Sequence, residues 1–284
     1  MGKKQHKGFF YYERKYKRAV YFVLSFLFML GLWWLLSETT FKRSGVIPSP
    51  QKAFAALSEI LKTQKLWTAV NNTLTKSLAG FFISMVLGFV FAVTAATSDR
   101  FKHFFDPVVS VLRSVPTLGV TYILFMWLDG RKTAIVIGVL IILPMLYSTM
   151  YGAITNVDKK LIDMAAVYKV SKVRRITGIY LPAVTPYIFS SAIAGLGLNI
   201  KVVIAAEIIG IPRDTIGSFI FRGYNMFDYT ALFVWVIIAV AVSFLCEALL
   251  KLIMRFCMPW KYENVKSVFK VFRLIKPKGE ASNK

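Results

Sequence analysis

Four charged side chains interrupt stretches that are otherwise apolar: Arg113, Lys201, Glu207 and Glu247. Charges in such a setting can hold one another or a passing solute, but alone they make and break no bonds. Residue types suited to bond chemistry are scarce. His6 and His103 are the only histidines, Cys246 and Cys257 the only cysteines, and neither pair has the spacing of a metal site or a disulfide framework. No G-x-x-x-x-G-K-[ST] loop for nucleotide phosphates occurs. The segment "DGRKT" at 129–133 shares its tail but lacks the upstream glycine. An integral membrane enzyme would need a convergent nucleophile, base or metal set, and these residues argue against one.

The elements that position those charges are set by hydropathy. Of 284 residues, 56% are hydrophobic and 15% aromatic, more apolar surface than a soluble chain of this size requires. A net charge of +22 would suggest nucleic acid in a soluble protein. Here the cations lie between apolar runs, so membrane topology accounts for them and no nucleic-acid partner is expected. Apolar stretches near 19–38, 77–97, 106–128, 133–153, 183–208 and 230–254 are long enough to cross a bilayer, which takes ~20 residues each. The first is followed by no small-x-small cleavage site and reads as a retained span. With the N-terminus inside, Lys and Arg number 24 on cytoplasmic segments against 11 outside, which places both termini in the cytoplasm.

The chain then divides into a basic, aromatic N-terminal segment (1–18), a transmembrane domain (19–258) and a basic amphipathic tail (259–284). The two ends are expected at the inner membrane surface, against lipid. Phe54, Leu57, Ile60 and Leu61 predict a short amphipathic helix after the first span. Within the spans a charge costs at least ~2.5–3.5 kcal/mol, so each needs a partner or wet surroundings. Glu207 pairs with Arg113 or Lys201, or else faces a pathway. Lys201 and Glu207 are six apart, about 240° around a helix, and cannot pair along one regular helix. Glu247 and Lys251 form an i, i+4 pair.

Between the fourth and fifth apolar stretches lies "DMAAVYKVSKVRRITGIYLP", Asp163 to Pro182. Asp158 is a candidate N-cap, and Leu161, Met164, Ala165 and Tyr168 follow helical spacing. A turn at 169–171 and a second helix capped by Ser171 come next, closed at Leu181-Pro182. The small pair Ala165-Ala166 would let another surface approach. An interfacial linker helix reads equally well from these residues alone.

This segment resembles the cytoplasmic EAA coupling loop of binding-protein-dependent ABC importer permeases. That pattern has E-x-A, a glycine six residues after the Glu, and I-x-LP ending nineteen after it. Asp163 stands at the Glu position, Ala165 at the Ala, and Ile179, Leu181 and Pro182 keep register. Lys169 replaces the glycine, at a cost on the order of 1 kcal/mol if the position needs φ > 0. "VIPSP", "SVPTLGV" and "VVIAAEIIG" resemble the nitrate/sulfonate/taurine-type permeases, and the likeness covers roughly residues 45–260.

The resemblance implies an all-α integral membrane protein of about six transmembrane helices, with the type I ABC importer permease fold, in the bacterial inner membrane. It implies partner ATPase subunits that bind ATP and grip the 158–182 loop through Asp163, Met164, Ala165, Ala166, Lys169, Ser171, Ile179, Leu181 and Pro182. It further implies a second permease copy, an extracytoplasmic solute-binding protein, no cofactor in this chain, and rigid-body alternating access. Glu207 stands at the acidic position of the family's A-E-x-I-G segment and is a candidate gate, with Arg113 and Lys201 as further pathway candidates. Lys201 occupies a position generally uncharged in the family. It could bind an anionic substrate or neutralise an acid on a neighbouring span. The solute stays open among nitrate, sulfonates, taurine, vitamin precursors and flavins. A stand-alone secondary carrier or channel is the alternative, and would call for inverted repeats and acidic relays that the sequence does not display. A vitamin-importer coupling subunit also carries cytoplasmic helices, but the I-x-LP register favours the first reading.

Overall fold

Backbone in a bilayer must satisfy its own hydrogen bonds, which favours helices. The computed structural model describes residues 5–39 and 45–257, and every regular element among them is helical. In chain order these are α1 (Gln5–Thr39), α2 (Pro50–Ile60), α3 (Gln64–Thr97), α4 (Asp99–Ser114), α5 (Thr117–Trp127), α6 (Gly130–Thr155), α7 (Lys159–Val167), α8 (Lys172–Arg175), α9 (Leu181–Gly210), α10 (Ile216–Asn225) and α11 (Tyr229–Cys257). The expected tail helix of 259–284 lies outside the described residues, as do the side chains of 1–18.

Helices α3, α6, α11 and the continuous stretch Lys172–Gly210 are each long and apolar enough to span a membrane. The α4–α5 pair makes a fifth candidate, and Val23–Thr39 of α1 is a shorter apolar run. Two sequence expectations are corrected. The predicted span 106–128 is not one straight helix: α4 and α5 meet at a 96° bend. Val115 is extended there (φ −70°, ψ 127°) because the ring of Pro116 disfavours a helical residue before it. The span expected to begin at residue 77 instead begins at Gln64, which draws Lys76 into the helix.

The contacts divide the chain into two units. One comprises residues up to Asn71 with Arg213–Ile238, the other Asn72–Pro212 with the chain from Ala239. In the first, Trp33 of α1 stacks on Phe233 at 6.1 Å and donates to the Pro48 carbonyl at 3.1 Å. Helix α10, which the sequence reading treated as loop, starts with a reciprocal Thr215–Ser218 capping box.

The second unit is organised around α6. Ala92 and Ala95 of α3, Phe105 and Val109 of α4, and Ile142, Leu146, Tyr147 and Met150 of α6 form one buried cluster. Ala134 and Ile137 of α6 pack with Val203 and Ala206 of α9 in another. Small residues let these helices close. A Cβ on Gly138 would collide with the Asn199 amide, so glycine here leaves room for that side chain between α6 and α9.

Candidate functional site

The segment between α6 and α9 is a helical hairpin whose geometry follows from its capping residues. The Asp158 carboxylate accepts the Lys160 N–H at 2.9 Å, satisfying one of the free donors that begin α7. At the other end the Lys169 N–H reaches the Ala166 carbonyl at 3.0 Å and the Val170 N–H reaches Ala165 at 2.9 Å. That paired pattern is a Schellman stop, which places its C′ residue in the left-handed region. Lys169 occupies it with φ +50°. The turn is held further by Arg175, whose Nε donates to the Val170 carbonyl at 3.1 Å.

Ser171 sits at the N-cap of α8, as the sequence suggests, but its hydroxyl makes no capping bond. The second helix does not close at Leu181-Pro182. It runs through a π turn, Ile176–Tyr180, straight into α9. Pro182 has no N–H to offer the carbonyl four residues back, and the wider turn, in which Leu181 N–H meets the Ile176 carbonyl, absorbs the interruption.

The expected apolar face of α7 divides in two. Ala165 is 2% exposed, and Ile162 joins Ala153, Val157, Val184, Ile179 and Tyr180 beneath the hairpin. Leu161, Met164, Val167 and Tyr168 are turned outward, with Asp163, Ala166, Lys169, Ser171, Leu181 and Pro182 also exposed. The structure therefore brings Met164, Ala166 and Lys169 onto an open surface and removes Ala165 from it. Ala165 is small because it packs on its own chain. Under the hairpin lies an apolar cavity of about 620 Å³, walled by Phe89 and Val93 of α3, Ile154 of α6, Ile162 of α7, and Tyr180 and Val184.

The expected pairing of Glu207 is corrected. Glu207 is fully buried, and its partner is neither Arg113 nor Lys201. Lys76 Nζ lies 2.6 Å from Glu207 Oε1, and Thr73 Oγ1 donates to Oε2 at 2.9 Å. About two turns back along α9, Asn199 Nδ2 donates to the Ser77 carbonyl at 2.5 Å. Thr73, Lys76 and Ser77 share one face of α3, so these bonds tie α3 to α9. Lys76 was missed because it borders the apolar run and counts as loop. The available signal was the i, i+3, i+4 spacing of three polar residues.

Arg113, exposed on one side, donates to the Pro144 carbonyl at 3.2 Å and to Ser148 Oγ, anchoring the end of α4 to α6 just before the bend. The Glu247–Lys251 pair forms as expected, at 3.6 Å. Lys201 is exposed on α9, with no hydrogen bond or ion pair among the described residues.

Comparison with known proteins adds the following. Residues 84–259 match the family model described as "Binding-protein-dependent transport system inner membrane component". The putative aliphatic sulfonates transport permease protein SsuC of Bacillus subtilis is 24% identical over 235 residues, covering 82% of this chain and 84% of that protein. The taurine transport system permease protein TauC of Escherichia coli is 22% identical over 83% of this chain and 87% of its own. The nitrate import permease protein NrtB of Synechocystis is 32% identical over 54% of this chain and 56% of its own. Among solved structures, a chain of a bacterial ABC transporter involved in import of the acidic polysaccharide alginate superposes with a TM-score of 0.57 at 16% identity, covering 85% of this chain and 98% of that one. A chain of the inward-facing MetNI methionine transporter gives 0.54 at 16% identity, over 68% and 94%. At such identities the superpositions establish the fold.

Proposed function

From the premise that the chain belongs to the binding-protein-dependent transport system inner membrane components, we propose that its α7–α8 hairpin is the contact through which ATP-binding subunits drive it. The protein is the transmembrane subunit of an ATP-driven ABC importer, a multi-pass protein of the bacterial inner membrane. ATP hydrolysis belongs to the partner subunits, and an extracytoplasmic binding protein delivers the solute. Two copies of this chain form the pathway, with both termini in the cytoplasm. The named solutes of its relatives are sulfonates, taurine, nitrate and bicarbonate, all small and polar, and this chain carries a solute of that size.

The observation that carries the coupling role is the outward face of α7. Met164, Val167 and Tyr168 are half to three-quarters exposed on a helix whose two ends are both capped. A rigid element with open apolar surface suits a partner's groove. The hairpin continues without a break into α9, so displacement of its tip is passed to a membrane helix. The cavity beneath gives that displacement room.

The test is purification of the complex carrying Met164→Asp. The exposed substitution leaves the fold alone and is expected to remove the ATPase subunit from the purified complex, with the permease still monodisperse and its melting temperature unchanged. Retention of the ATPase at full stoichiometry, together with undiminished transport, would overturn the coupling assignment. Ala165→Asp is not a suitable probe, because its carboxylate would be buried in the hairpin's own core.

A further inference from the structure

Charges in the spans of this chain meet partners within it: Lys76 with Glu207, Arg113 with Pro144 and Ser148, Glu247 with Lys251. Lys201 is the exception among the described residues. It lies on α9, nine residues before the helix ends at Gly210, ~14 Å at a rise of 1.5 Å per residue. Left against lipid, an ammonium there is strongly disfavoured. The nearest acid along the same helix, Glu207, is already neutralised by Lys76 and points into the core.

The residues around Lys201 mark its face as something other than lipid-facing. Exposed positions of α9 recur every three or four residues: Tyr187, Ser190, Ala194, Leu198, Lys201 and Ala205. The intervening rows, Ser191, Gly195, Asn199 and Val203 among them, are buried. Elsewhere the chain's open membrane faces carry large apolar side chains, as in Phe82, Val86 and Phe89 of α3 or Phe244, Leu245 and Leu249 of α11. The open face of α9 is narrower, smaller in side-chain volume and partly polar.

We infer that this face lines the aqueous pathway, with Lys201 as its anion-contact residue, so that the solute is a small anion rather than a neutral or cationic vitamin precursor. The inference rests on the importer reading above and adds to it the charge of the solute. Lysine offers a compact, hydrated point charge, whereas arginine would grip a sulfonate or nitrate with two parallel bonds. Its neighbours one turn away, Leu198 and Ala205, supply no further donor. A single mobile cation attracts an anion without holding it, which passage requires.

The experiment uses the assembled transporter in membranes with Cys246→Ser and Cys257→Ser, and Ala205→Cys introduced one turn from Lys201. The thiol is treated with small methanethiosulfonates that are neutral, anionic (sulfonate-bearing) or cationic (trimethylammonium-bearing). The neutral reagent is expected to react, and the anionic one to outpace the cationic by about fivefold or more once each rate is divided by that reagent's rate with a small free thiol. Lys201→Gln is expected to abolish that preference and Lys201→Arg to keep it. If the neutral reagent does not reach the thiol, the pathway reading of this face fails, and the anion site with it. If it reacts but Lys201→Gln leaves the anion preference unchanged, the anion site alone is overturned. Binding-protein-stimulated ATP hydrolysis by the same preparations tests the importer reading separately.

Discussion

Replacing Lys76 by methionine tests whether Glu207 is a lock between helices or a gate. The two side chains are buried to within 5% and 0% exposure and sit 2.6 Å apart. Methionine preserves most of the lysine stem but takes from the buried carboxylate its ion-pair partner, a loss that costs about 3–5 kcal/mol. That is far above the ~0.6 kcal/mol typical of an interhelical polar contact in a membrane, so the measurement discriminates. Glu207→Leu strands the ammonium instead and should cost a similar amount, with about 1 kcal/mol more for the Thr73–Glu207 hydrogen bond that is lost. The double variant removes both charges at once. Apolar replacement of a whole buried pair is neutral or stabilising in many proteins, so it should fall within ~1–2 kcal/mol of the parent.

Denaturant titration of the purified complex in mild detergent, followed by tryptophan fluorescence, supplies the three values for a double-mutant cycle. Under the lock reading the double variant is stable and still transports, since the pair only fixes α3 to α9. A stable double variant without transport would show that the carboxylate itself acts in the cycle. Single variants costing less than about 1 kcal/mol would refute the electrostatic argument, because the pair would then be solvated in the functional protein.

Other expectations are more local. Lys169→Gly relieves a left-handed residue at φ +50° and should stabilise the hairpin by on the order of 1 kcal/mol, read as a higher melting temperature. Gly138→Ala drives a methyl into the Asn199 amide and should cost about 1–3 kcal/mol, with part recovered in Gly138→Ala/Asn199→Ala. Asp129 caps α6 with its carboxylate, held below the usual range chiefly by the Lys132 N–H. Its contribution is complete above the unfolded value of 3.8 and is lost as pH falls through the lower folded value. Amide exchange at 131–134 should therefore accelerate only in acid, and Asp129→Ala should make it fast, relative to the parent, at neutral pH.

The limits of the sequence reading follow from the range of the forces involved. Capping acts over three or four residues, so Asp158 at the start of α7 and the turn at Lys169 were legible, and so was the strain at Lys169. The break before Pro116 was signalled locally too, but its 96° angle is set by the Arg113 anchor on α6 and by packing, which no local window contains. Periodicity reveals that α7 has an apolar stripe without revealing which edge turns inward. A helix at a membrane edge that also meets a partner is apolar on both sides, and only the packing of Ile162 on Ala153, Val157 and Val184, with the burial of Ala165, distinguishes that edge from Met164 and Tyr168.

Charges in spans pose the hardest case. Hydropathy registers what a buried ion costs but not what offsets it, and the offset for Glu207 comes from a helix 131 residues earlier in the chain, at a lysine on the margin of an apolar run. The same reasoning makes Lys201 informative. Once Lys76 has taken Glu207, and Lys251 has taken Glu247, Lys201 is left with no ion-pair partner among the described residues. A residue that is costly where it stands and unsatisfied by its own fold must be satisfied from outside it. On a helix whose open face is small and partly polar, the available partner is an anion moving through water.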